Sequence, residues 1–218
     1  MFWKKKKMSL ILSEKVPLAI LRKRVKILVI DDDPNSFPKD QLIDEGYNIQ
    51  HWEKVRSLNR LLDGEFDVII LDIGGVTDDP NPDAGLSVLE HIKKHNPHQI
   101  VVAFSGQTFD LSKTGFWRMA DDSICKPVYA VKCKEVLDQL LEAKFSMEHL
   151  WGELEAILLS KNINQREIDK LKYNLSVAIG AKDAEKARLA LPATINGVKL
   201  GIEALSTVNK ILTLWGIG

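Results

Sequence analysis

The chain of 218 residues contains no apolar run of about 18 residues, the length that a membrane-spanning helix needs. Cysteine is scarce as well: only Cys125 and Cys133 occur, at a spacing that matches no zinc-binding or redox motif. Because so few cysteines leave no disulfide framework, we expect a reducing compartment, the cytoplasm. Hydrophobic residues make up 45% of the chain, which is enough for an ordinary globular core.

Net charge is also absent, because 30 Lys and Arg residues balance 30 Asp and Glu residues. The charges are nevertheless sorted along the chain. Residues 1–26 carry nine basic residues and one acid, whereas residues 27–142 carry 11 basic residues and 21 acids. Residues 143–218 carry ten basic and eight acidic residues. The neutral total therefore hides an acidic middle region.

The N-terminal segment, residues 1–24, is expected to be a basic arm. It contains the run Lys4 to Lys7 beside Phe2 and Trp3. Basic and aromatic residues of this kind can contact an anionic membrane surface, but a solvated tail is the simpler interpretation. The apolar stretch that follows, residues 8–12, is too short for the core of a signal peptide.

Residues 25–144 alternate between strand-like and helix-like segments. Apolar, β-branched runs predict buried strands at residues 25–30, 67–72 and 99–104, with a candidate strand at 47–52 and a weak one at 122–126. Helical patterns lie between and after them, at residues 38–45, 55–62, 85–95, 114–120 and 128–144. Such alternation indicates an α/β fold with a parallel sheet covered on both faces. Since the crossovers are right-handed, the carboxyl ends of the strands share one edge, where open α/β sheets bind ligands.

Residues 145–218 show helical periodicity and no strand candidate. One apolar stripe begins at Met147, and a second begins at Ile168, behind a capping-box pattern of Asn164 and Glu167. A third stripe, in steps of three and four residues, comprises Val198, Gly201, Leu205, Val208, Leu212 and Trp215. These stripes predict a small helical bundle or hairpin.

Residues with reactive side chains stand where the predicted strands end. They are Asp31 and Asp32 after the first strand, Asp72 at the third, Ser105 at the fourth and Lys126 at the fifth. Three carboxylates at one sheet edge repel each other and therefore require a cation. Oxygen ligands favour a hard divalent metal, and a site that keeps several waters favours Mg²⁺ over Ca²⁺. A carboxylate beside Mg²⁺ can attack phosphorus to form an aspartyl phosphate, whose oxygens a Lys and a Ser can hold.

Four motifs at these positions carry a family resemblance. They are Val-Ile-Asp-Asp-Asp-Pro at 29–34, Leu-Asp-Ile at 71–73, Ser105-Gly106, and Ala-Asp-Asp-Ser-Ile-Cys-Lys-Pro at 120–127. Together they resemble the receiver domains of two-component response regulators. The resemblance covers residues 25–144 and implies a flavodoxin-like, doubly wound sheet of five parallel strands in the order 2-1-3-4-5. Residues 145–218 would form an all-helical region with no family assigned.

The resemblance also implies a role for each site residue. Asp72 would be the phosphoacceptor, and Ser105 and Lys126 would hold the phosphoryl group. The implied Mg²⁺ ligands are the carboxylates of Asp31, Asp32 and Asp72 and the backbone carbonyl of Gly74. Among them, Asp32 would be the direct ligand and Asp31 would assist. A histidine kinase or a phosphotransfer protein would be the partner, and the chain would react only on itself rather than act as an enzyme.

Two features depart from the family pattern. Ser123 stands three residues before Lys126, at a position that is commonly aromatic in the family and takes part in its conformational switch. The loop from Asp72 to Gly85 is longer than usual and carries the acids Asp78, Asp79 and Asp83. We expect these acids either to alter metal access or to form a surface for a partner.

Residues 145–218 are the expected output region. They are nearly neutral and contain no basic recognition helix, so no DNA binding is expected. We therefore expect this region to act through protein–protein contacts, either by self-association or by docking to an effector. One alternative is an adaptor that uses a receiver-like fold without phosphorylation. Another is a phosphohydrolase of the haloacid-dehalogenase type, suggested by Asp31 and Asp33, although that family has Thr or Val where this chain has Asn35.

Overall fold

The computed structural model describes residues 15–79, 81, 83–106, 114–190, 194–195 and 198–216. The described residues fall into two compact units. The first, which we call the sheet unit, spans Arg22–Leu141, and the second, the helical unit, comprises the described parts of 1–21 and 142–218. In the described part of the chain, no helix has both the length and the hydropathy that a membrane span requires. The run Lys4 to Lys7, expected to be a solvated tail with lipid contact as the alternative, lies outside the described residues.

The sheet unit is built on five parallel strands. They are β1 (Lys26–Ile30), β2 (Asn48–Trp52), β3 (Val68–Asp72), β4 (Ile100–Ser105) and β5 (Asp122–Cys125). The hydrogen-bonded order is β2-β1-β3-β4-β5, which confirms the predicted order. Asp72 lies opposite Phe104 on β4, and Ser105 lies opposite Cys125 on β5. The register therefore brings the ends of neighbouring strands together at one edge of the sheet.

The central strands are the most apolar part of this sheet. Strands β3 and β4 are buried at every position, and β1 is buried at every position except Lys26. Burial on both faces is what allows continuous apolar runs in parallel strands. The two edge strands have more exposed positions, which is why their sequence patterns are weaker.

Helices accompany the strands in the alternation that the sequence predicts. They are α1 (Leu18–Arg24), α2 (Lys39–Asp44), α3 (Leu58–Leu62), α4 (Ala84–His95), α5 (Thr114–Met119) and α6 (Ala130–Lys144). Leu89 and Ile92 of α4 and Phe116 of α5 pack with strand residues such as Leu28 and Ile69 in one buried cluster. Helix α1 is an addition, because it lies within the segment that we expected to be an arm.

A polar contact ties the end of α1 to α6. The Nε of Arg22 donates to Oδ1 of Asp138 over 2.8 Å, and the Tyr47 hydroxyl donates to the same carboxylate. The guanidinium of Arg22 also lies 5.1 Å from the centroid of the Tyr47 ring. This contact anchors the chain just before β1.

The helical unit contains α7 (Met147–Ser160), α8 (Gln165–Gly180), α9 (Ala184–Ala190), β6 (Thr194–Ile195), β7 (Val198–Lys199) and α10 (Ile202–Trp215). The Oδ1 of Asn164 accepts the backbone N–H of Glu167 over 3.1 Å, as the capping pattern predicts. The unit is helical as expected, with a small antiparallel hairpin of β6 and β7 added. Strands of two residues are too short to show a periodic pattern, so the sequence does not predict them.

The apolar stripe on α10 differs in detail from its prediction. Val208 and Leu212 are buried as expected, whereas Leu205 is 42% exposed. The buried face instead includes Ala204 and Thr207. Because this face contains small and polar residues, an apolar pattern alone does not locate it.

Candidate functional site

Three carboxylates meet at the carboxyl edge of the sheet. Ligand atoms of Asp31, Asp32 and Asp72 all lie within 4.8 Å of one another. Asp31 is completely buried and Asp72 is 8% exposed, whereas Asp32 lies at the surface. The cluster that the sequence predicted is therefore present, and it opens to solvent on the side of Asp32.

Lys126 supplies a positive charge to the two buried acids. Its Nζ lies 2.6 Å from Oδ2 of Asp31 and 2.8 Å from Oδ2 of Asp72. The same nitrogen lies 4.6 Å from the centroid of the Phe104 ring. Lys126 follows the last residue of β5, and its peptide bond to Pro127 is cis. The end of β5 thus places one ammonium between two carboxylates.

Burial and charge act against each other on this ion pair. Burial raises the pKa of Asp72 above its ordinary value, and the charge of Asp31 adds to the rise, although Lys126 opposes both. Burial alone would lower the pKa of Lys126, but Asp31 and Asp72 outweigh it and raise that pKa overall. Lys126 therefore stays charged at neutral pH, and the ionised form of Asp72 depends on it.

Asp31 is held by the loop that follows it. Its Oδ1 accepts the backbone N–H of Asp33 over 2.9 Å, and its Oδ2 accepts the Ser36 hydroxyl over 2.6 Å. The carboxylate of Asp33 accepts the backbone N–H of Asn35. Ser36 is a site residue that the sequence does not reveal, because a hydroxyl in an aperiodic loop carries no signal.

Asp72 is held by backbone on its other side. Its Oδ1 accepts the N–H of Ile73 over 2.8 Å. The N–H of Gly85, in the first turn of α4, donates to the carbonyl of Ile73 over 2.8 Å. A Cβ on Gly85 would lie 2.2 Å from the carbonyl oxygen of Asp72, so only glycine permits this approach. The start of α4 therefore packs directly against the backbone of Asp72 and Ile73.

The remaining predicted residues lie near this edge. Ser105 is buried at the end of β4, and its carbonyl accepts the backbone N–H of Lys126 over 3.1 Å. Ser123 is exposed on β5 opposite Ala103, so a small side chain stands at the position that is commonly aromatic. Gly74 lies in the loop after β3, and its carbonyl as a metal ligand stays a prediction.

The donor set fits a hard divalent cation. Asp31, Asp32 and Asp72 offer only oxygen ligands, which Mg²⁺ prefers in proteins. Asp31 and Asp72 both pair with the ammonium of Lys126, and Asp32 adds a further carboxylate. Three carboxylates this close together repel each other, and a bound cation would offset that repulsion.

No protein-family model matches the chain, and no curated protein matches it closely enough to serve as a relative. Solved structures similar to the chain include a CheY-like receiver domain protein from Methanospirillum hungatei. It is 22% identical, with 55% of this chain and 95% of that chain covered and a TM-score of 0.46. The receiver domain of NtrX from Brucella abortus is 30% identical, with 54% and 98% covered and a TM-score of 0.45.

A third similar structure is the response regulator TrrA from Thermotoga maritima in complex with Mg²⁺ and BeF. It is 29% identical, with 53% of this chain and 98% of that chain covered and a TM-score of 0.44. The first two of these structures are receiver domains and the third is a response regulator, the family that the sequence motifs resemble. The helical C-terminal region has no family assigned to it.

Proposed function

We propose that the chain is a response regulator whose receiver domain, residues 25–144, accepts a phosphoryl group on Asp72. The observation that carries this proposal is the ammonium of Lys126 between Asp31 and Asp72, beside the exposed Asp32. An acidic edge with one fixed ammonium is suited to hold a cation and a phosphoryl group together. Both cysteines are free thiols, which is consistent with the reducing cytoplasm that we propose as the location.

The proposed donor is the phosphohistidine of a histidine kinase or a phosphotransfer protein. A carboxylate oxygen of Asp72 forms a bond to phosphorus while the phosphorus–nitrogen bond of the donor breaks, and that electron pair stays on the imidazole. The N–H of Ile73 orients the Asp72 carboxylate during the attack. Lys126 and Ser105 then hold the transferred oxygens at the ends of β4 and β5.

The transferring oxygens need more positive charge than one ammonium supplies. Mg²⁺, when bound, provides that charge. The proposed ligands are the carboxylates of Asp31, Asp32 and Asp72 and the carbonyl of Gly74. In this proposal the chain acts only on its own aspartate, by phosphorylation and by slow hydrolysis, and it has no external substrate besides the phosphoryl donor.

Intact mass spectrometry tests the proposal. After incubation with Mg²⁺ and acetyl phosphate, we expect a labile adduct with the mass of one phosphoryl group, which Asp72→Asn abolishes. Asp33→Asn is the matched control, because the Asp33 carboxylate accepts the backbone N–H of Asn35 and is not among the proposed metal ligands. The absence of any adduct on the wild-type chain at every Mg²⁺ concentration overturns the proposal and leaves the phosphorylation-independent adaptor.

For output we propose protein–protein contacts of residues 145–218. The described helices of this region carry several large apolar side chains that are exposed, including Leu159, Tyr173, Val177 and Leu189. Exposed apolar groups of this size favour contacts between proteins. Self-association is the proposed form of this contact, and no DNA binding is proposed.

A further inference from the structure

The loop after β3 passes directly beside Asp32. Gly75 in this loop has φ +68°, a left-handed conformation that favours glycine. A Cβ on Gly75 would lie 2.2 Å from Oδ2 of Asp32, 2.4 Å from its Cγ and 2.8 Å from its Oδ1. All three distances are shorter than non-bonded heavy atoms allow. The Asp32 carboxylate therefore occupies the space that any side chain at position 75 would fill.

The loop is anchored just after this contact. Val76 is completely buried, and its carbonyl accepts the N–H of Val55 over 2.8 Å. Two residues further on, Asp78 forms an ion pair with Lys54 at 2.7 Å. Because a buried side chain and a backbone hydrogen bond hold the loop, the exposed carboxylate of Asp32 is the group that would yield to a side chain at position 75.

We propose that Gly75 is a positioning residue that sets the place of the Asp32 carboxylate in the divalent-cation site. This inference rests on the proposed function. A side chain at position 75 turns Asp32 away from Asp31 and Asp72 and so weakens cation binding. Lys126 and its two ion pairs are left in place, because the three atoms nearest to the Cβ position all belong to Asp32, whereas Lys126 pairs with Asp31 and Asp72.

The first test is calorimetric titration of the full chain with Mg²⁺, without any phosphoryl donor. We expect Gly75→Ala to raise the Kd for Mg²⁺ by about tenfold or more, the usual effect of disturbing groups that orient a metal ligand. Gly46→Ala is the matched control, since Gly46 has φ +93° but no heavy atom within 4 Å of its Cβ position. An unchanged Kd in Gly75→Ala overturns the proposal, whereas a change that Gly46→Ala shares indicates backbone strain and also overturns it.

The second test is a double-mutant cycle on stability, measured by urea unfolding without metal. Gly75→Ala should lower the free energy of unfolding by less in an Asp32→Ala background than in the wild-type chain, because the obstructing carboxylate is then gone. Equal costs in both backgrounds contradict a contact between the two positions. The cycle uses neither Mg²⁺ nor phosphorylation. A chain that forms no adduct on Asp72 but shows the coupling would therefore refute the proposed function and not the placement of Asp32.

Discussion

At the scale of single residues, the site depends on one ammonium that serves two buried acids. Asp31 has no exposed surface and Asp72 has little, so both carboxylates have lost most of their hydration. A buried charge without a partner is costly, and Lys126 is the cation that the structure places in contact with both. The stability and the chemistry of this edge therefore depend on the same side chain.

Replacing this lysine should weaken both properties. We expect Lys126→Met to lower the free energy of unfolding by about 1–3 kcal/mol at pH 7, because two carboxylates lose a charged hydrogen bond. Its phosphoryl adduct from acetyl phosphate should be reduced as well. Urea unfolding and intact mass measure the two effects. Lys132→Met, at an exposed position on α6, is the control, and equal stability of the two variants would contradict this role for Lys126.

The sequence predicts some residues of the site and not others, for a physical reason. Asp31 and Asp72 stand at the ends of buried apolar strands and Lys126 follows a weaker edge strand, so the alternation of strands and helices brings them to one edge of the sheet. Ser36 and Gly75 belong to loops, where the backbone path decides which groups meet. No periodic pattern encodes that path, so their contacts with Asp31 and Asp32 are visible only in the structure.

At the scale of secondary-structure elements, a local sequence pattern predicts the strands but not helix α1. Three apolar segments predict the central strands because burial on both faces leaves no room for polar residues, whereas the two edge strands give weaker patterns. Helix α1 is short and has three basic residues in its last turn, and Arg22 at its end contacts Asp138 and Tyr47. A contact between residues more than 100 positions apart leaves no local pattern in the sequence.

This contact predicts a stability that depends on pH. Burial alone would raise the pKa of Asp138, but hydrogen bonds from Arg22 and Tyr47 outweigh it and lower that pKa. A carboxyl group whose pKa is lower in the folded chain stabilises the fold above its unfolded pKa of about 3.9. That stabilisation is lost as the pH falls through the folded value.

Asp138→Asn should therefore be less stable than the wild-type chain by about 1–3 kcal/mol at pH 7. The difference should shrink as the pH falls towards 4 and below, where the wild-type carboxyl begins to take up a proton. Urea unfolding at a series of pH values measures it. Asp44→Asn, at an exposed position at the end of α2, serves as the control. If the difference in the free energy of unfolding does not change with pH, the charge of Asp138 does not contribute to the stability of the fold.

At the scale of the whole molecule, the neutral total charge combines the basic residues 1–26 with two regions of different character. The acidic residues 27–142 include the carboxylates of the site, whereas residues 143–218 are nearly neutral. A nearly neutral region has little charge to offer phosphates of DNA, and it carries exposed apolar side chains instead. Its surface thus suits contact with another protein, which we propose to be a second copy of this chain.

Sedimentation of two surface variants tests this whole-molecule proposal. Tyr173 and Val177 lie one turn apart on α8 and are 43% and 49% exposed. If this face takes part in self-association, Val177→Lys should raise the dissociation constant by about tenfold or more, since a lysine must lose its hydration there. Val131→Lys is the control. Val131 belongs to the sheet unit and is 72% exposed, so this variant should leave the dissociation constant unchanged. Equal dissociation constants for both variants and the wild-type chain would show that this face of α8 is not part of the contact, because burying a lysine in an apolar interface would weaken association.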